Sequence, residues 1–486
     1  MSDNQSLRKK TISGALWKFC ERVLSQVVNF IVSIILARLL LPEDYGIIAL
    51  VSVFIAICDK LAVSGFATSL IQKKDADNLD FSTVFFFSLG MSLLLYALLF
   101  FGAPLIADFY SAYDRELLIA VIRVMGIQVI VTAILSVQSA YISNTMQFRK
   151  TLPSTLTASI LSAAVGIWMA HAGYGVWALV AQSGLNLFTI MMVLWFTVQW
   201  RPNLAFSATR FKSLFSYGWK IFTASIIKVL YNDLRSLVIG KFYTSADLAY
   251  YNKGQSFPQL IETNVSGTIE SVLFPAISKR QTSKEDMLAI LRRAIKTSTF
   301  ILMPLLAGLA AVAEPLISIL LTDKWLPSAP FMQVICFTFM MMPIEIDNLQ
   351  AIKAMGRSDI ALKLEIIKKI IGVFLLIVSI PFGVMAIAIS MLLGAIINAV
   401  VDAVPNKRLL GYGIGKQLLD ILPSLLMSAV MFACVYPLSA LPLGHMPVLI
   451  IQILVGIAVY VLLSIITKNE SFRYLFSLIR GFMKWK

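Results

Sequence analysis

The stretch ISGALWKFCERVLSQVVNFIVSIILARLL, residues 12–40, is apolar and long enough to cross a bilayer, yet its first half carries Lys18, Glu21 and Arg22. About 20 mostly apolar residues span the hydrocarbon core. Charge inside such a span is costly and marks a functional or water-facing position. On a helix, Lys18, Arg22, Ser25, Gln26, Asn29 and Ser33 recur at three or four residues and so share one face. Val23, Val27, Phe30, Ile31 and Ile34 form the other face. The pattern predicts a membrane helix with a polar stripe running from its inner end to past its middle.

The rest of the chain repeats this apolar character. It has 486 residues, 58% hydrophobic and 14% charged, with a mean hydropathy of +0.83. Soluble domains are about 45–50% apolar and about 25% charged, so lipid is the solvent here. Apolar runs lie near 12–40, 44–71, 80–107, 117–143, 151–172 and 176–200, then 214–242, 246–277, 287–313, 328–354, 360–380 and 383–404, and finally 416–439 and 446–467. This predicts an all-α polytopic membrane protein of about fourteen transmembrane helices. No stretch between them is long enough for an aqueous catalytic domain, so the chain is expected not to be an enzyme. Cys20, Cys58, Cys336 and Cys434 are scattered and form no CxxC pair, and His171 and His445 stand alone in connections. Zinc takes clustered Cys and His ligands, so neither a metal site nor a cofactor is expected.

A net charge of +15 would suggest nucleic acid in a soluble protein. Here it follows topology instead, and no nucleic-acid partner is expected. One set of connections and the tail hold 27 basic residues, from Arg8, Lys9 and Lys10 through Lys279, Arg280, Lys284, Arg292, Arg293 and Lys296 to Lys486. The opposite set holds four: Arg38, Arg115, Lys241 and Lys324. Cytoplasmic loops collect Lys and Arg, which places both termini in the cytoplasm and requires an even helix count. The start MSDNQSLRKK reads as a retained cytoplasmic end. The tail SFRYLFSLIRGFMKWK, residues 471–486, reads as an amphipathic helix on the anionic inner leaflet.

The chain resembles itself at a shift of 202–203 residues. Trp17-Lys18 matches Trp219-Lys220; Asn29, Ser33 and Arg38 match Asn232, Ser236 and Lys241; Asp44 matches Asp247; Ser64-Gly65 matches Ser266-Gly267. Six helices are an even number, so both copies run the same way, as in parallel-repeat transporters. The expected division is residues 1–205 for a first six-helix lobe, 206–410 for a second, and 411–486 for two further helices and the tail. Such lobes hold a site between them that opens to alternate sides.

Ten basic residues fall inside spans: Lys18, Arg22, Lys60, Arg123, Lys220, Lys228, Arg235, Lys253, Lys368 and Lys369. Lys18, Arg22, Lys60, Arg123 and Lys253 are the candidates for a cationic cavity, with Gln26, Asn29 and Asn232 on its polar face. Lys18 has the alternative of snorkelling to the interface. Lys368 and Lys369 are assigned to the inner interface, as part of the topological signal. A positive cavity selects an anion, since Lys and Arg recognise phosphate; a lipid tail would stay in the bilayer. The acidic residues Glu262, Glu345 and Asp347 are candidates for coupling to H⁺ or Na⁺, with a static ion pair as the alternative. Met340, Met341 and Met342 before Pro343 are expected to pack at a helix break.

The motifs RKKTISGALWKF (8–19), LARLLLPEDYGIIAL (36–50), SGFATSLIQKK (64–74), VLFPAISKRQ (272–281) and LTDKWLPSAP (321–330) resemble the polysaccharide transporter family, more closely its colanic-acid and teichuronic-acid exporter branch. The resemblance implies a flippase of the multidrug/oligosaccharidyl-lipid/polysaccharide exporter superfamily with two six-helix lobes. It implies transfer of undecaprenyl-diphosphate-linked oligosaccharides across the bacterial inner membrane, beside polysaccharide-assembly proteins, with ion-gradient coupling. It also implies basic residues of helices 1, 2 and 8 lining the cavity, which Lys18, Arg22, Lys60 and Lys253 match by helix. A drug or organic-ion antiporter would want acidic groups where helices 1 and 2 supply cations. A polysaccharide polymerase or ligase would want a large outer loop, and the outer connections are short.

Overall fold

In the computed structural model the described residues are 2–63, 65–73, 75–278 and 283–483; among them there is no strand. Two compact units divide the chain, Met1–Ala249 and Tyr250–Lys486. The first holds α1 (Ser2–Leu39), α2 (Pro42–Val63), α3 (Phe66–Gln72), α4 (Asn78–Phe109), α5 (Arg115–Asn144), α6 (Thr151–His171), α7 (Val176–Thr197), α8 (Ala208–Phe242) and the start of α9 (Ser245–Ser278). The second holds the rest of α9, then α10 (Lys284–Ala311), α11 (Ala313–Leu321), α12 (Ala329–Phe339), α13 (Met342–Ala354), α14 (Ser358–Ser379), α15 (Val384–Leu410), α16 (Ile414–Val435), α17 (His445–Ile466) and α18 (Glu470–Met483).

Eleven of these helical stretches, among the described residues, are long and apolar enough to cross a membrane. The other three expected spans are also helices, α8, α9 and α14, but each carries charged residues along its length. Lys228, Asp233 and Arg235 sit in α8, Lys253 and Glu262 in α9, and Lys363, Glu365, Lys368 and Lys369 in α14. Two expected spans are broken. Residues 328–354 divide into α12 and α13 at Met340 and Met341, with Pro343 in the first turn of α13. Residues 44–71 divide before α3, where Gly65 has φ 88° and a Cβ would lie 2.2 Å from the Gly218 carbonyl oxygen of α8. Only a glycine permits both that backbone angle and that approach.

The first unit packs around a core that includes Phe66, Phe81, Phe85, Trp200 and Leu214, with Phe211 against it. The segment entering α8 is bound to the start of α4: Trp200 Nε1 donates to Asn78 (2.7 Å), Asn203 N to Ser82 (2.9 Å) and Ser207 N to Thr83 (3.2 Å). An ion cluster completes this clamp. Asp80, fully buried, accepts from Lys73 at 2.5 Å and from Arg210 at 3.3 Å. Asp77 caps α4 through the Asp80 backbone N–H. That bond, helped by Arg210 and Lys73, holds the Asp77 carboxyl below the usual carboxylate range.

Prolines within helices leave a carbonyl four residues earlier without its donor. Pro104 in α4 frees the Phe100 carbonyl, and Arg123 Nε from α5 donates to it at 3.2 Å. Pro304 in α10 frees the Phe300 carbonyl, and the Tyr460 hydroxyl from α17 donates to it at 2.9 Å. A second correspondence joins the two halves of the chain. Asp44 accepts from Leu41 N, and Asp247 accepts from Thr244 N, each at 3.2 Å, so both matched aspartates cap the helix they begin.

Candidate functional site

The expected site residues fall into two groups. In the first unit, Lys18, Arg22 and Asn29 are exposed along α1 and Gln26 is half-buried. They cover about 16 Å of helix at 1.5 Å per residue. Beyond them Val32, Leu36 and Leu40 turn inward, packing with Ala163, Ala170 and Leu179. Lys18 Nζ lies 5.3 Å from the centre of the Phe148 ring. Glu21, the residue able to neutralise these cations, accepts a hydrogen bond from Thr151 at 2.8 Å. Lys60 is exposed in the last turn of α2, and Asn232 is exposed on α8. The Val23, Val27, Phe30 and Ile31 face of α1 is also exposed on this unit, so the polar stripe is not set against a buried apolar one.

Arg123 differs from these cations. Half-buried between α4 and α5, its guanidinium lies 4.4 Å from the Phe100 ring centre while its Nε satisfies the Phe100 carbonyl. Lipid offers no donor to a stranded carbonyl, and that need accounts for this cation inside a span.

The second unit holds the acidic candidates. Glu345 and Asp347 of α13 are buried, and Asp347 accepts from Ser298 Oγ at 2.9 Å. Glu345 lies 4.0 Å from Lys368 Nζ, which also meets Glu365 at 2.8 Å and Asp402 at 2.9 Å. Lys368 is therefore not the interfacial topological residue expected. It is a buried cation among three carboxylates, one helical turn past Glu365, and its neighbour Lys369 stands 4.0 Å from Glu365. Lys253 is half-buried, its Nζ 5.6 Å from the Trp325 ring centre, and Glu262 is half-buried on the same helix.

Further polar groups that the sequence did not single out join this unit. Asn348 Nδ2 donates to Gln417 (2.8 Å), while Gln417 Nε2 and Asn406 Nδ2 both donate to Asn348 Oδ1 (2.9 and 2.7 Å). Asp420 of α16 is gripped bidentately by Arg292 at 2.5 and 2.7 Å and accepts from the Tyr412 hydroxyl at 2.9 Å. Lys296 lies 3.3 Å from Asp420 and 3.0 Å from Glu470. Arg292 and Lys296, counted above as loop cations, stand two and three turns inside α10. The hydrogen bond from Lys296 holds the Glu470 carboxyl below its usual range. Both cations that meet Asp420 lie on one helix, Arg292 standing 128 residues earlier in the chain, so Asp420 carries no local sequence signal.

Fold and side chains together define a polytopic helical membrane protein with polar groups inside its bundle. The family of polysaccharide biosynthesis proteins matches residues 35–330, well over half the chain, and the chain belongs to that family. It is 24% identical over 403 residues to the lipopolysaccharide biosynthesis protein WzxC of Escherichia coli strain K12, covering 82% of this chain and 80% of that one. It is 22% identical over 361 residues to the teichuronic acid biosynthesis protein TuaB of Bacillus subtilis strain 168, covering 73% and 74%. In fold it is similar to the lipid II flippase MurJ in an inward closed conformation, with a TM-score of 0.75, 15% identity, and coverage of 94% of this chain and 99% of that one.

Proposed function

We propose that the chain is a flippase that moves an undecaprenyl-diphosphate-linked oligosaccharide, the repeat unit of an O-antigen, capsule or exopolysaccharide, across the bacterial inner membrane. It works as a transporter and not as an enzyme, and the ion gradient supplies direction. In this reading all fourteen expected spans cross, including the polar α8, α9 and α14, with both termini cytoplasmic. The lobes follow the sequence repeat, 1–205 and 206–410, followed by 411–486; the matched aspartate caps of α2 and α9 support that division. Lys18, Arg22, Lys60 and Lys253 bind the diphosphate in a central cavity whose polar lining includes Gln26, Asn29 and Asn232. Glu262, Glu345 and Asp347 are the acidic groups open to ion coupling. Polysaccharide-assembly proteins supply and take up the substrate.

The observation that carries this reading is the exposed placement of Lys18, Arg22 and Lys60 on a unit otherwise built for lipid. Exposed cations of that kind are hard to place against hydrocarbon and suit an aqueous, anion-seeking cavity. Reconstitution in vesicles tests it. A fluorescent or radiolabelled lipid-linked oligosaccharide should cross only with the protein present. No crossing under either a proton or a sodium gradient would overturn the reading.

A further inference from the structure

Two cavities of the second unit meet at Arg293. One, of about 890 Å³, lies between α9 and α10 under α18 and is mainly apolar, with Ile269, Leu273, Ile290, Ile301 and Leu475 on its walls. The other, of about 680 Å³, is polar and is lined by Glu285, Arg292, Arg293, Lys296 and Glu470. Arg293 and Tyr474 line both. The charges at this junction are unequally used. Arg292 is held by Asp420, and Lys296 is shared between Asp420 and Glu470. Arg293 has no carboxylate within ion-pair distance among the described residues; its guanidinium rests 4.8 Å from the Tyr474 ring centre. Two carboxylates share these walls without reaching ion-pair distance of Arg293: Asp286 lines the first cavity and Glu285 the second, both two turns earlier on α10, about 10 Å along the helix. Arg473 stands exposed beside Tyr474.

A charged chamber joined to an apolar one through a single unpaired guanidinium fits a ligand with an anionic head and a hydrocarbon tail. We propose that this junction holds an anionic phospholipid, its phosphate on Arg293 and one acyl chain in the cavity between α9 and α10, with α18 as the roof. The Tyr474 ring restrains the intrinsically planar guanidinium from one side, leaving its bidentate fork for the phosphate. Glu470 competes for the neighbouring Lys296, so lipid binding and α18 docking are linked. The site belongs to the end of the unit that carries the start of α10 and the helix α18, which is the inner leaflet in the topology proposed above; the inference rests on that reading for the leaflet alone.

Native mass spectrometry of the full-length protein, with phosphatidylglycerol, phosphatidylcholine or undecaprenyl phosphate added in turn, tests this. The expected result is selective retention of phosphatidylglycerol, cut several-fold by Arg293→Gln and by Tyr474→Ala, and kept or raised by Glu470→Gln. Equal retention of phosphatidylcholine, retention unaffected by Arg293→Gln, or preference for undecaprenyl phosphate would each overturn it. The wild-type lipid preference is read without any variant, so a misfolded Arg293→Gln protein leaves the test decisive. Oligosaccharide flipping in vesicles of phosphatidylcholine alone is scored separately, which keeps failure of the lipid site distinct from failure of the flippase reading.

Discussion

Arg123 Nε donates to the Phe100 carbonyl, the acceptor that Pro104 leaves without a helical N–H. This makes the two side chains parts of one device. An unsatisfied buried carbonyl costs about 1–3 kcal/mol, so Arg123→Met should lower unfolding stability by that order. Pro104→Ala restores the N–H, and the cost of Arg123→Met should shrink in that background. Thermal unfolding of the four proteins in detergent gives the coupling. Additive effects would show that Arg123 is held there for another reason. Tyr460→Phe and Pro304→Ala form the parallel cycle in the second unit, on the Phe300 carbonyl.

Much of the fold was legible because lipid imposes a strong pattern. Long apolar runs gave the helices, and Pro343 after three methionines gave the break between α12 and α13. The candidate site was legible only in part. The stripe of α1 follows from helical spacing, which is local. Arg123 looked like a cavity cation because Phe100 and Pro104, which explain it, lie about 20 residues away on another helix. Lys368 looked interfacial because two of the three carboxylates around it, Glu345 and Asp402, sit on other helices, with only Glu365 near in sequence. The Asp420 cluster was invisible for the same reason.

Lys368 is the sole cation within 3 Å of Asp402 among the described residues, with Glu345 and Glu365 beside it. Removing one partner of a buried pair typically costs about 3–5 kcal/mol, because the charge left behind has lost its water. Lys368→Met leaves three carboxylates facing one another and should fall at the upper end of that range. Asp402→Asn keeps an oxygen acceptor and leaves Lys368 with Glu365, so it should cost about 1–3 kcal/mol. Comparable melting temperatures for Lys368→Met and wild type would show that Lys368 is solvated in the membrane-bound protein.

The clamp between α4 and α8 makes an asymmetric prediction. Asp80 is buried and serves both Lys73 and Arg210. Asp80→Asn strands no buried charge, since both cations are partly exposed, but it removes the centre of the cluster; a loss of about 1–3 kcal/mol is expected. Arg210→Ala leaves Asp80 with Lys73 at 2.5 Å and should cost less, within about 1 kcal/mol. Limited proteolysis of the 198–207 segment reads the clamp directly. Cleavage enhanced more in Arg210→Ala than in Asp80→Asn would invert the ranking and place the anchor on α8.

Export itself separates the two kinds of intramembrane cation. A charge-assisted hydrogen bond contributes about 1.5–3 kcal/mol, and each 1.4 kcal/mol is about tenfold in affinity. Loss of Arg22 or Lys60 from a diphosphate site should thus weaken binding by roughly one to two orders of magnitude. Arg22→Ala and Lys60→Ala should therefore abolish surface polysaccharide while membrane levels stay normal, because both side chains are exposed and their truncation opens no cavity in a packed core. Arg123→Met should do the reverse, lowering protein level in the membrane while the remaining protein still exports. Glu262→Gln divides differently again: a coupling carboxylate matters only under an imposed gradient, so a loss of equal size without a gradient would make Glu262 structural. Normal export in both Arg22→Ala and Lys60→Ala would sink the cationic cavity and leave the exposed stripe of α1 without a substrate to explain it.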